Sequence, residues 1–390
     1  MKLRVFANML AEAVAFAARA LPTRAPVPVL AGILLRTDER GLHLAAFDYE
    51  TAATTRVDAE IADDGTALVS GRLLNEICKT LPKAAEVDIE LSGSRLLVTS
   101  GSAKFTLPTL PAEEYPQLPG VPDTVLTVQA DALADAVAQV AVAASTEESL
   151  PVLTAMQLLL EDDRITLAAT DRYRFAVREL TVQPTGTLPA VTPKTGKKKD
   201  KADDGAVLIP AKFLAEATRA MTGEHPVAVG WSDGQLTLTT AGSSIGTRLI
   251  DGDFPRHRGV FPIPADAELT VTVPTDEALA ALKRVALVAS DKTPVRLTVT
   301  DDGRQLLLEA GHGDDAHAVD RIPCNTTGHL DGGTIAFNPG YLADALKALA
   351  APEARLHATS ATKPALLTGH SGELADTDYQ HLLMPIRLNG

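Results

Sequence analysis

Cysteine is nearly absent: Cys78 and Cys324 are the two in 390 residues. Neither has a CxxC partner, which argues against a disulfide framework, a zinc ribbon or a paired-thiol redox centre. No stretch approaches the roughly 20 apolar residues needed to cross a bilayer, so a globular protein with no membrane partner is expected. The opening Met1–Phe6 alternates like a strand and contains no apolar run of signal-peptide length, which places the expected location in the cytoplasm. Basic charge is also in deficit, with 36 Lys and Arg against 50 Asp and Glu and a net charge of −14. A chain that coats nucleic acid over its whole surface is therefore excluded, although a local basic lining is not.

Catalytic motifs are missing as well. No HExxH occurs, and the spacing of His312 and His317 does not stack two rings on one helix face, so no metal is expected. Thr195-Gly196-Lys197 lacks the upstream glycine of a phosphate-binding loop. Gly242-Ser243-Ser244-Ile245-Gly246 does match the GxSxG of serine hydrolases, which makes a hydrolase using Ser244 the rival reading. That chemistry requires a strand, a sharp turn and a helix. Here apolar alternation continues on both sides, and a hairpin is expected instead.

What is present is a weak internal repeat in three copies. Each has a first alanine-rich amphipathic helix, at Leu10–Arg19, Leu133–Val142 and Leu279–Val288, with apolar residues at helical spacing. A proline-containing turn then leads into an apolar strand, at Pro28–Leu35, Pro151–Leu158 and Pro294–Val299. Second helices follow at Arg72–Leu81, Lys212–Met221 and Tyr341–Leu349, and alternating strands close each copy, among them Arg95–Ser100, Gln235–Thr239 and Ala365–Leu367. The expected fold class is α+β, with three similar domains of two helices packed on antiparallel sheets, bounded at 1–122, 123–267 and 268–390. The central copy is longer by one insertion, 184–206, whose run Lys197-Lys198-Lys199-Asp200-Lys201 reads as a disordered surface loop. The proline-rich stretches 111–122 and 254–264 read as stiff linkers.

The six helices together with the flanking Lys83, Asp131, Asp276 and Glu277 hold nine bases against eight acids while the whole chain is −14, so the remainder is strongly acidic. Complementarity to helix dipoles explains this as well as a polyanion-facing side does.

Four segments, Leu107–Pro116, Ala168–Val177, Ala336–Tyr341 and Leu383–Leu388, taken in this order and together with the repeat, resemble the bacterial sliding clamps, the beta subunits of DNA polymerase III. The likeness covers essentially the whole chain. It implies a non-catalytic processivity factor without cofactors, built as a head-to-tail homodimer whose six domains form a ring around duplex DNA, bound without sequence preference. Its partners would be the polymerase III alpha subunit, the clamp loader, and other polymerases and repair proteins carrying short linear motifs. Carried over residue by residue, the peptide pocket falls on Leu153, Thr170, Arg172, Tyr173, Phe175, Pro255, Val260, Asn338, Tyr341, Thr362, Pro364, Leu382, Met384, Pro385, Ile386 and Arg387. DNA contacts fall on Arg24, Arg72 and Lys212. The dimer interface falls on Phe105 and Leu107 against Leu287 and Val288, which the residues alone would assign to the core. Arg172-Tyr173 stands where many members carry glycine and histidine, and this departure leaves open a specialised paralogue such as an antibiotic-resistant copy.

Overall fold

Strict alternation in Lys2–Phe6 turns Leu3 and Val5 inward and leaves Lys2, Arg4 and Phe6 outside, the period-2 signature of a half-buried strand. The computed structural model describes the chain except residues 186–205, 233, 257, 258, 260, 263, 290–292, 301, 312–315, 331, 332, 372, 373, 389 and 390, and except the side chains of 374–377. The expected lysine-rich loop and Val260 lie outside the described residues.

Helices occur at all six expected places: α1 (Ala7–Ala17), α2 (Gly71–Thr80), α3 (Ala130–Ala141), α4 (Ala211–Ala220), α5 (Thr275–Val285) and α6 (Pro339–Ala348). The first and last copies share the same start. The backbone N–H of Ala7 donates to Ala85 O at 2.9 Å, and that of Thr275 to Pro352 O at 2.9 Å. A neighbouring loop thus satisfies a donor that a side-chain cap would otherwise take. A 3₁₀ turn follows α1 at Ala18–Ala20 and α5 at Ala286–Val288.

The described chain divides into two compact units. The first contains one antiparallel sheet. It runs from Thr124–Gln129 through Pro226–Ser232, Gln235–Thr240 and Ser243–Arg248 to Thr51–Val57, Gly41–Phe47, Gly32–Asp38, Thr66–Ser70, Ala103–Leu110, Arg95–Ser100, Glu86–Ser92 and Lys2–Phe6, with Gln183–Pro184 and Glu60–Asp63 at its ends. Helices α1 and α2 pack together here, with α1 over Thr51–Val57. The second unit has a longer sheet, ordered Ala206–Pro210, Ala155–Glu161, Arg164–Thr170, Arg174–Thr181, Leu374–Leu383, Ala365–Ser371, Glu353–Ala358, Leu269–Pro274 and Asn325–Gly328. Its shorter sheet is ordered Ala318–Pro323, Gln305–Ala310, Val295–Val299 and Thr334–Phe337. There α5 packs on α6 and on Ala318–Pro323.

Two seams explain why the backbone forms two units although the sequence repeats three times. Ser243–Arg248 pairs with Thr51–Val57, with Ile245 opposite Ala53, and Leu374–Leu383 pairs with Arg174–Thr181, with Leu382 opposite Phe175. Hydrogen-bonded sheet therefore continues across each expected junction, and the central stretch contributes strands to both units.

Candidate functional site

At the second seam the turn Thr170–Arg174 folds around its own polar side chains. Asp171 Oδ1 accepts from the N–H of Tyr173 at 2.9 Å and of Arg174 at 3.0 Å. Thr170 Oγ1 accepts from Arg172 N–H at 3.1 Å and donates to Arg174 O at 2.7 Å. Such side-chain turns replace ladder bonds where a chain reverses. Arg172 sits at φ 81°, a region that favours glycine.

Beyond the turn, Arg174 reaches two carboxylates, Asp171 at 2.9 Å and Asp344 of α6 at 2.9 Å. Its guanidinium also lies 4.4 Å from the ring centroid of Tyr341, and the Tyr173 ring stacks on Tyr341 at 6.3 Å. Burial, then the charge of Asp171, pushes the Tyr341 phenol above its ordinary pKa. Asn338 Oδ1 caps α6 by accepting from Tyr341 N–H at 3.1 Å, so the helix end fixes this aromatic group.

The apolar floor is Phe175 with Ala168, Val177 and Leu382, against which Phe254 and Phe261 pack. Phe175 meets both rings edge-on, at 6.0 and 5.6 Å. The chain end forms a wall. Met384 N–H donates to Tyr173 O and Ile386 N–H to Ala336 O, each at 2.8 Å, with Pro385 between them lacking a donor. Met384 and Ile386 remain exposed.

Of the sixteen pocket candidates, Tyr173, Phe175, Asn338, Tyr341, Leu382, Met384 and Ile386 are thus tied into one assembly, with Thr170 and Arg172 shaping its turn. Leu153 is buried in the 3₁₀ turn Pro151–Thr154, which touches the strand Arg164–Thr170. Pro255 follows Phe254 and is exposed; Arg387 follows Ile386 and is exposed. Thr362 is exposed and Pro364 half-buried, just before Ala365, which pairs with Leu383. Sequence reasoning missed Arg174, Asp171, Asp344, Phe254 and Phe261. The first two lie inside a segment the resemblance rests on, and the two phenylalanines lie in a stretch taken for a plain linker.

Arg24 and Arg72 are exposed, and one Arg72 amino group donates to Thr23 O at 2.6 Å, tying α2 to the loop bearing Arg24. Lys212 is exposed in the first turn of α4, the end where a helix dipole disfavours a cation, so dipole complementarity does not account for it. Leu287 is 85% exposed, Val288 and Phe105 are half-buried, but Leu107 is 1% exposed. Leu107 faces into the core opposite Leu96 and offers no surface to a partner, a correction to the interface expectation.

Ser244 lies in the strand Ser243–Arg248, which follows a turn at Gly242 with φ 81°. Its hydroxyl is 3.1 Å from that of Thr239. The hairpin is therefore formed, and the strand–turn–helix of a hydrolase elbow is not.

Comparison with known proteins gives three family matches in chain order: the N-terminal domain of the DNA polymerase III beta subunit at residues 1–119, its central domain at 127–256 and its C-terminal domain at 261–387. The beta sliding clamp of Streptomyces coelicolor is 45% identical over 100% of both chains. The beta sliding clamp homolog GriR of Streptomyces muensis is 35% identical over 100% of both. The crystal structure of a sliding clamp from Pseudomonas aeruginosa bound to griselimycin superposes with a TM-score of 0.87 at 25% identity over 100% of both chains.

Proposed function

Since the chain belongs to the family of DNA polymerase III beta subunits, the beta sliding clamps, we propose that it acts as a processivity factor in the cytoplasm: a closed homodimeric ring that encircles duplex DNA and holds polymerases and repair proteins to it, without catalysis of its own. The observation that carries this is the match of all three family domains, in order, along the full length. The greater identity to the relative named simply as a beta sliding clamp favours the general role over that of a specialised copy.

Sheet edges support the ring. Ala103–Leu110 pairs fully with Arg95–Ser100, but on its other side only Thr109 and Leu110 pair. Ala318–Pro323 is the terminal strand of the short sheet and carries exposed Val319, while α5, which packs on it, leads into the 3₁₀ turn bearing exposed Leu287. A free edge with apolar neighbours calls for a partner. Two unlike edges, one in each unit, suit a head-to-tail closure that a two-fold rotation completes. Phe105 then meets Leu287 and Val288 across each of two equivalent interfaces.

In this reading the domains keep the boundaries 1–122, 123–267 and 268–390. The pocket around Phe175, Tyr341 and Met384 takes short linear motifs of the polymerase alpha subunit, the clamp loader and repair proteins, its apolar floor receiving the anchors. Arg24, Arg72 and Lys212 make weak phosphate contacts. The decisive experiment compares retention of the loaded protein on nicked circular and linearised DNA. Long residence on circles with rapid loss from free ends is expected; equal retention on both would overturn the ring.

A further inference from the structure

The turn that shapes the pocket at the second seam has a counterpart at the first. There Asp48 Oδ1 accepts from the N–H of Glu50 at 3.0 Å and of Thr51 at 2.6 Å, and Tyr49 takes φ 74°. The correspondence sets Asp48 beside Asp171, Tyr49 beside Arg172 and Thr51 beside Arg174. The strand register carries it further: Phe175 opposite Leu382 becomes Ala52 opposite Gly246.

That substitution of size has a physical result. At the second seam the two large side chains fill the space beneath Phe254 and Phe261. At the first, a methyl group and a hydrogen leave it empty, and a cavity of about 100 Å³ opens over Ala52 and Gly246, walled by Phe47, Tyr49, Leu118 and Val121. Tyr49 is 49% and Val121 59% exposed, so large apolar groups stand at its mouth without cover. The space is well below the roughly 300 Å³ lower bound of a small-molecule pocket and suits a single side chain.

The charge at the two mouths differs. At the second-seam turn Arg174 is paired with Asp171 and Asp344, and Arg172 is the exposed cation. The first bears Asp48, committed to its own turn, and Glu50, which lines the cavity together with Arg248. We propose that the first-seam cavity is a second docking pocket for a short linear peptide, whose leucine or phenylalanine anchor fills the space over Ala52 and Gly246 while an adjacent basic residue meets Glu50. Arg248 is then available to a peptide carbonyl. Exposed Arg172 of the other turn disfavours the same basic residue, so the two pockets sort peptides by charge. This inference rests on the reading of the second-seam pocket as a peptide site.

The test uses the full-length protein and two fluorescein-labelled, amidated hexapeptides with a central Leu-Phe, one flanked by lysines and the other by glutamates, titrated by anisotropy. Ala52→Phe, which fills the cavity, and Glu50→Lys, an exposed change that leaves packing intact, should each weaken the lysine peptide about tenfold or more. Met384→Asp should leave that peptide unchanged and weaken the glutamate peptide instead. If the lysine peptide ignores Glu50→Lys and a folded Ala52→Phe protein, or does not bind at millimolar concentration, the inference falls. If the lysine peptide keeps its dependence on Ala52 and Glu50 while Met384→Asp changes neither peptide, the inference stands and the second-seam reading is the one that fails.

Discussion

His381 is fully buried, and its chemistry follows from that burial. The Tyr379 hydroxyl lies 3.1 Å from Gln139 O and 2.8 Å from His381 Nδ1, a hydrogen bond that either neutral tautomer of the ring can make. Burial first, and the charge of Arg174 second, push the imidazole down to about 3. A base depressed in the folded state makes stability fall as pH drops below the unfolded value near 6.5, because only the unfolded chain takes the proton. The loss from this group approaches about 1.4 kcal/mol per pH unit between roughly pH 6 and pH 4. Urea denaturation of His381→Phe should show a shallower slope by that amount over the same window, and identical slopes would refute the assignment. Arg174 permits a second prediction at this scale. Its removal leaves Asp171 nearly buried without its cation. Arg174→Ala should cost roughly 3 kcal/mol in chemical denaturation. Arg174→Lys should recover only part of this, since an ammonium cannot bridge Asp171 and Asp344 as a planar fork does.

Among the elements, edges and helices behave differently under substitution, and the interface reading turns on that difference. Leu287 protrudes from the 3₁₀ turn after α5, whereas Leu107 lies inside a strand whose neighbour Leu96 is also buried. Leu287→Asp should therefore give a folded monomer with a nearly unchanged melting temperature, seen by sedimentation at micromolar concentration. Leu107→Asp should lower the melting temperature sharply, because it places an unpaired charge in a core. The same elements mark where the sequence was legible. All six helices were, because apolar residues at a 3.6 period carry over ten residues or more. Their starts ran a few residues early in the structure, as α3 begins at Ala130 and α5 at Thr275, since first turns such as Ala130-Asp131-Ala132 contribute no apolar stripe. The seams were not legible. Thr247 opposite Thr51 and Leu383 opposite Arg174 join residues about two hundred positions apart, and alternation within a strand does not say which edge it will meet. That Tyr173, Phe175, Tyr341 and Leu382 lie together was legible through the motif segments, while the ion pair joining Arg174 to α6 depended on that unseen pairing.

At the scale of the whole molecule, a net charge of −14 would oppose binding to DNA if affinity came from surface contact. A protein held by six to ten phosphate contacts loses about 10³- to 10⁵-fold in affinity between 50 and 200 mM salt. The proposed ring escapes this relation, because its residence on a closed circle depends on the lifetime of two protein–protein interfaces and not on Arg24, Arg72 or Lys212. Once loaded on nicked circles, the protein should therefore keep its half-life within about threefold across that salt range, far from the contact-held slope. Replacing Arg24, Arg72 and Lys212 together by glutamate should slow loading, where the charges steer encounter, and leave residence on circles nearly unchanged. Leu287→Asp should do the reverse, abolishing residence while the basic residues remain. A half-life on circles that fell with salt as steeply as a contact-held protein would show that phosphate contacts, and not closure, keep the molecule on DNA.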